Sequence, residues 1–410
     1  LQGTQPHTMI NPSASGWIDK FFGTLKGKPA AYENSHAFYR AIRDTGFIYG
    51  HVISFNNLDA KETKGWTVEE TTKVSLLNIL YDVYRLINQA ENTQLFVEKA
   101  ITFYKAVHPG SFELLKKVLP SSPPSHELEG ILDERIKTNE NIISRSFSHI
   151  LTNALLFMDV LAFRQYLLKD ELSEKYLKRL EGTVLAVVSL ALKSKEGRAE
   201  YDDLLIKLFE SSVRYTKIEK VQATDISLVD FEYFESKSEK NYLLDMAAMA
   251  IWSDGRAQQS EIDFMYTLNG YLGLSDEAAA ESMASYDVFI KLNKKSIPYF
   301  KYSNPVKHFY DHASQSVMLL INRNKNRLAK ELSNNSELVV LLGNSTFRSL
   351  DTKEKKKVRK QLLEICKTIP SLTIFLLPGG SLLLPLLIKF IPQLLPTVFN
   401  ENLERDGEEQ

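Results

Sequence analysis

The chain has 410 residues, 44% of them hydrophobic and 25% charged, with a net charge of −1. That length allows roughly two to four domains of ~100–200 residues each, and the charge balance leaves no global field to favour nucleic acid or acidic substrates. One cysteine, Cys366, excludes an internal disulfide framework and any cysteine-rich metal site.

No basic stretch followed by an apolar core precedes residue 40, so no signal peptide is expected and the bulk of the chain is placed in the cytoplasm. Gly23–Pro29 looks like a shortened phosphate loop. It has three intervening residues instead of four and Pro29 where Ser or Thr should follow the lysine, so it is set aside. Phe47–Ser54 carries the most strand-like composition, but it is isolated.

From there helical periodicity dominates. Thr67 and Glu70 form a capping-box pattern. They open a helix with Leu76, Leu77, Ile79, Leu80, Val83 and Leu86 on one broad face. A second helix over 93–107 must stop at His108-Pro109-Gly110. Ser121-Ser122-Pro123-Pro124 reads as a linker. Long amphipathic helices are expected over 138–168, 171–193 and 199–215. The fold class is all-α, with a multi-helix cytoplasmic part and a Pro/Gly-broken membrane segment near the C-terminus. The expected regions are 1–120 and 125–235, both helical; a helical domain over 236–335; a C-terminal segment over 340–400; and an acidic tail over 401–410.

Asn241–Trp252 is a helix of buried type, stopped by Ser253-Asp254-Gly255. A second helix starts near Gln258 and ends at Gly273, and Ser275 caps a third. The block AIWSDGRAQQSEIDFMYTLNGYLGLSDE resembles the TerB-like helical domain. That resemblance implies a cation-binding turn at Asp254 and Glu261. The residues themselves allow a plainer account: Asp254-Gly255 turns the chain, and Glu261 favours the first turn of the next helix. A calcium loop is excluded, because Ala250 and Trp252 occupy its first two ligand positions.

His308 and His312 stand four apart on one helix face, but Phe309 replaces the glutamate of a zinc-protease motif. Gly379-Gly380-Ser381 is no nucleophile elbow. No catalytic constellation emerges, and neither a metal nor a cofactor is expected. Basic and aromatic residues do not interleave into a stacking platform; Ile297–Tyr302 comes closest. No nucleic acid is expected to be read directly.

The last sixty residues are the most distinctive. A basic run, Lys353–Lys360, is followed by 21 residues without a charge, Thr368–Ile388, then by Lys389 and the acidic tail. A bilayer span needs ~20 apolar residues, and basic residues before the run with acids after it would hold the N-terminal bulk in the cytoplasm. Pro378-Gly379-Gly380 divides the run, so a re-entrant hairpin of two arms, Ile369–Leu377 and Ser381–Ile391, is a second geometry. A greasy helical pair buried in a protein core is the third. Pro378, Pro385 and Pro392 recur every seven residues. Within one helix they would strip partners from the carbonyls of Ile374, Ser381 and Ile388.

Pro385, Lys389, Pro392, Pro396 and Phe399, with Leu383-Leu384 before them and Leu395-Pro396-Thr397-Val398-Phe399 closing the stretch, resemble the LETM family, the leucine-zipper/EF-hand transmembrane proteins. Pro378, Gly379 and Gly380 complete that membrane motif. The resemblance covers about residues 350–400. Together with the preceding helical parts it is similar to bacterial LETM-related, biofilm-associated proteins. It implies a location at the cytoplasmic face of a bacterial inner membrane, with the cytoplasm as the alternative. The partners implied are membrane lipid and either the ribosome or membrane proteins. The leading expectation is a non-enzymatic scaffold linked to surface attachment. The alternatives are K⁺ or Ca²⁺ exchange for protons through an oligomeric segment, and a soluble helical scaffold. No Asp or Glu lies inside the uncharged run, which weighs against proton-coupled transport.

Overall fold

The computed structural model describes residues 10–25, 32–89, 91–107, 123–136, 153–171, 174–196, 206, 224–252, 257–297, 305–369, 372, 375 and 383–396. Among them are fifteen α-helices and no strand. The chain divides into two compact units.

The first unit holds α1 (Trp17–Leu25), α2 (Ser35–Asp44), α3 (Val68–Asn88), α4 (Thr93–Val107), α5 (Pro124–Ile136), α6 (Phe157–Lys169), α7 (Glu174–Lys193), α8 (Lys237–Ile251), α9 (Gln259–Leu272) and α10 (Asp276–Asn293). Two helices are its spines. α3 opens with the expected capping box, Thr67 and Glu70 each bonding the other's backbone N–H. Every residue from Thr72 to Arg85 on it is buried, the pattern of a helix surrounded by others; α4, α5 and α6 pack on it. α8 begins with a second capping box, Ser236 with Glu239, and is buried from Tyr242 to Ile251. Around it lie α2, α7, α9 and α10.

Edge-to-face rings seal the first spine: Phe96 meets Phe22, Tyr81, Tyr84 and Phe163 with centroids 5.1–6.1 Å apart, within the favourable range for such pairs. Two buried carboxylates in this core are paired. Arg135 Nε and NH2 donate to the two oxygens of Asp159 at 2.6 and 2.8 Å. Glu129 accepts from the backbone N–H groups of Gly16 and Ile18 at 3.1 and 3.0 Å. A carboxylate there satisfies the orphan donors that open α1.

The strand-like Phe47–Ser54 is a loop. Gly46 and Gly50 both have positive φ, +81° and +72°, and the chain turns back on itself, His51 N–H bonding the Gly46 carbonyl at 3.1 Å. Two left-handed residues four apart break the extended backbone that a strand requires. Of the helices expected over 138–215, α6 and α7 are seen; 199–215 lies outside the described residues apart from Ile206.

The second unit holds α11 (Pro305–Arg323), α12 (Lys325–Ser333), α13 (Ser336–Phe347), α14 (Thr352–Thr368) and α15 (Leu384–Leu394). α15 packs on α11 and α13, while α13 also packs on α12 and α14. The uncharged run does not form one span. α14 stops at Thr368, Ile369 is extended at φ −113°, ψ 106°, and α15 starts only at Leu384. No described helix is long and apolar enough to cross a membrane. At the start of the first expected hairpin arm Ile369 leaves the α region, and Leu372 N–H bonds its carbonyl at 2.8 Å; of that arm only Ile369, Leu372 and Phe375 are among the described residues. Most of the described apolar side chains of the run are buried, among them Leu372, Phe375 and Leu387, all fully enclosed, while Pro385 and Ile388 are half-buried. Burial in protein, one part of the third geometry, is what these described residues show.

Candidate functional site

α14 carries the charge of the second unit. Its seventeen residues include seven basic side chains and two acidic ones. Val358, Leu362, Ile365 and Cys366 are buried, spaced to form one stripe. Burying an aliphatic side chain stabilises by about 1.5–3 kcal/mol. An exposed ion pair contributes ~0–1 kcal/mol. The apolar stripe therefore sets which way the helix faces, and the charges follow. Lys353, Lys355, Lys356, Lys357, Arg359 and Lys360 are all exposed.

The start of α14 is locked. Asp351 Oδ1 accepts the Glu354 N–H and Glu354 Oε2 accepts the Asp351 N–H, both at 2.8 Å. Arg348 forks onto Glu354 at 2.8 and 2.6 Å, and that guanidinium, with the Asp351 N–H, pulls the Glu354 carboxyl down to about 2. The acidic residue of the basic run is thereby neutralised locally. Lys357 pairs with Glu337 of α13. Phe347, the last residue of α13, is 87% exposed and immediately precedes Arg348. On the buried side, burial pushes the Cys366 thiol up to about 12.

The sequence-expected motif is only partly in view. Pro385 falls in the first turn of α15, where a missing N–H breaks no helical bond; Ile374 and Ser381, the other carbonyls expected to lose a partner, lie outside the described residues. Pro392 lies inside α15, and there the Ile388 carbonyl does lose its helical donor. Lys389 is not turned to a lipid headgroup: its Nζ donates to Tyr310 Oη at 2.8 Å and lies 5.5 Å from that ring's centre. Pro396 is exposed just beyond the helix. Pro378, Gly379, Gly380 and Phe399 lie outside the described residues, as does Asp254. Glu261 caps α9, accepting the Gln258 N–H at 2.7 Å, the plainer of its two expected roles. The side chains of His308 and His312 are outside those described, as is most of Ile297–Tyr302. Among the described residues no group of three His, Cys, Asp or Glu could hold a metal ion.

Residues 350–410 match the family described as LETM1-like, RBD. RBD denotes a ribosome-binding domain. The match begins at the residue before the α14 cap and takes in α14, α15 and the tail. No curated protein and no solved structure matches the chain. Nothing in these comparisons supports a TerB-like block or an association with biofilms. Sequence reasoning found the proline-punctuated part of the LETM1-like segment but missed Arg348, Phe347 and Tyr310. Arg348 could have been found, since it stands six residues before Glu354. Tyr310 could not, being 79 residues from Lys389.

Proposed function

We propose that the chain is a non-enzymatic adaptor that binds the ribosome through its LETM1-like segment, with the exposed face of α14 as the contact. The observation that carries this reading is the family match over residues 350–410. The chemistry of α14 supports it. Ribosomal RNA presents closely spaced phosphates, and lysines and arginines on one surface gain affinity by releasing the counterions condensed there. The Arg348 clamp offsets the Glu354 charge that would oppose such a contact. Phe347 adds a ring on which an unpaired base can stack. Contacts of this kind hold a backbone in place without reading sequence.

Co-sedimentation of the full chain with ribosomes, over a salt series, tests the proposal. The wild-type chain is expected in the ribosome pellet at low salt and in the supernatant at high salt. Replacing Lys353, Lys355, Arg359 and Lys360 by Gln should weaken binding by at least ~tenfold and flatten the salt dependence, each lost phosphate contact lowering the slope by about 0.7–0.9. Wild-type protein that stays in the supernatant at low salt, or a quadruple variant that binds as well as wild type, would overturn it.

A further inference from the structure

α10 has two unlike faces. Inward it buries Ala279, Ser282, Met283, Tyr286 and Phe289, and it packs on α8 and α9. Outward, Ala280, Ala284, Val288 and Leu292 are all exposed. They recur every four residues, so they form one ridge along the helix, about 18 Å long. Val288 is 51% exposed and Leu292 77%. A single exposed apolar side chain is ordinary, whereas a contiguous row marks a contact surface.

Two gradients along α10 select what covers that row. The first is size: the ridge is small at its N-terminal end, with Ala280 and Ala284, and large at its C-terminal end, with Val288 and Leu292. The second is charge. Asp276 and Glu277 stand in the first turn, while Lys294 and Lys295 are exposed just past Asn293, the last helical residue. Lys291 is already engaged by Asp287 at 2.6 Å. Acids first and lysines last also suit the macrodipole of a single helix. That account explains the charges, but it leaves Leu292 in water.

Reversed and laid on itself, α10 is its own complement. Take a two-fold axis level with Tyr286. Leu292 of one copy then stands over Ala280 of the other, six positions on either side of 286. Val288 stands over Ala284, two positions on either side, and Lys295 lies toward Glu277, nine on either side. Large meets small and base meets acid at both ends. A parallel arrangement would set Leu292 against Leu292 and Lys295 against Lys295. Ridges of i, i+4 spacing pack on one another in the commonest helix crossing, at about −50°. A contact in which the same patch serves both copies closes at two.

We propose that the partner of this face is a second copy of the chain, docked with α10 antiparallel to α10. The face belongs to the first unit and lies outside residues 350–410. It is independent of the ribosome-binding reading, and ribosome co-sedimentation does not depend on it.

Sedimentation velocity of the full chain in low salt tests this. Over about 1–100 μM the average mass should rise toward twice that of the monomer, as mass action requires. Leu292→Asp and Ala284→Trp both alter exposed positions. Each should keep the wild-type melting temperature and weaken the dimer by at least ~tenfold, one by placing a charge in the contact and the other by filling the space opposite Val288. Glu277→Lys and Lys295→Glu each bring like charges together and should weaken it roughly twofold to fivefold. The chain carrying both reversals should regain wild-type affinity, because its two ends match again. A wild-type chain that stays monomeric, a dimer indifferent to Leu292→Asp and Ala284→Trp, or a double reversal no tighter than its single parents would overturn the assignment.

Discussion

The Lys389 ammonium donates to the Tyr310 hydroxyl at 2.8 Å and rests 5.5 and 5.6 Å from the centres of the Tyr310 and Phe390 rings. The first charge after the long uncharged run is thus held inside the second unit, between α11 and α15. Its stem is half-buried among apolar neighbours, and the rings supply the partial negative charge that water would otherwise provide.

Tyr310→Phe removes the hydroxyl and keeps the ring. The expected cost to the second unit is about 1 kcal/mol. Lys389→Met, which keeps the stem but loses the charge, should cost no more. Cys366 is a built-in reporter, since it is 1% exposed and its thiol is pushed up to about 12, leaving almost no native thiolate. Alkylation should therefore follow opening of this unit. About 1 kcal/mol should speed Cys366 labelling roughly fivefold under conditions where opening is at equilibrium. Unchanged labelling in Tyr310→Phe would mean that the hydroxyl contributes nothing to the packing of α11 on α15.

Gly46 should resist substitution. Its φ is +81°, and a Cβ there would strike the His51 carbonyl oxygen and come within 2.6 Å of Phe289 Cε2. Neither neighbour yields easily: one is backbone, and Phe289 packs on Tyr49 with centroids 4.9 Å apart. Gly46→Ala combines left-handed strain with overpacking, and a loss of about 2–4 kcal/mol is expected in denaturant unfolding. Gly65, also at positive φ but with open space around it, is the control; its alanine variant should lose only about 1 kcal/mol. Equal losses at the two positions would show that the contact with Phe289 is unimportant.

Asp82 makes stability depend on pH. It is 3% exposed within α3, and burial raises its carboxyl to about 7, against the opposing pull of Arg85, 3.9 Å away, and of Tyr32. The folded chain therefore keeps a proton that the unfolded chain releases near pH 4. Stability should fall as pH rises from about 4 to 7 and level off above that. At full size the effect is on the order of 4 kcal/mol. Asp82→Asn, an uncharged near-isostere, should flatten that part of the profile. Parallel wild-type and variant profiles from pH 4 to 7 would show that Asp82 titrates normally in the folded state.

The legibility of the sequence differs from element to element. Thr67 with Glu70 and Gln258 with Gly273 mark helix ends by bonds to backbone three or four residues away, so their pattern is visible locally. The 93–107 helix likewise ends where Pro109 follows. Phe47–Ser54 misleads because β-branched and aromatic residues suit any half-buried surface, and two glycines decided the backbone instead. The basic and apolar faces of α14 could be read from spacing alone. The approach of Arg43 on α2 to the buried Asp245 on α8 could not, because they lie 202 positions apart and nothing local ties them.

By itself the amino-acid order determined the all-α class, the ends of most helices and the charge of the α14 surface. Those follow from contacts within one or two helical turns, where propensity, capping and periodicity act. Only the tertiary structure decided the environment of the described part of the uncharged C-terminal run. Hydrocarbon and a protein interior reward the same leucines about equally, since both remove them from water. What separates them is whether other helices cover those side chains, and among the described residues α11 and α13 do so.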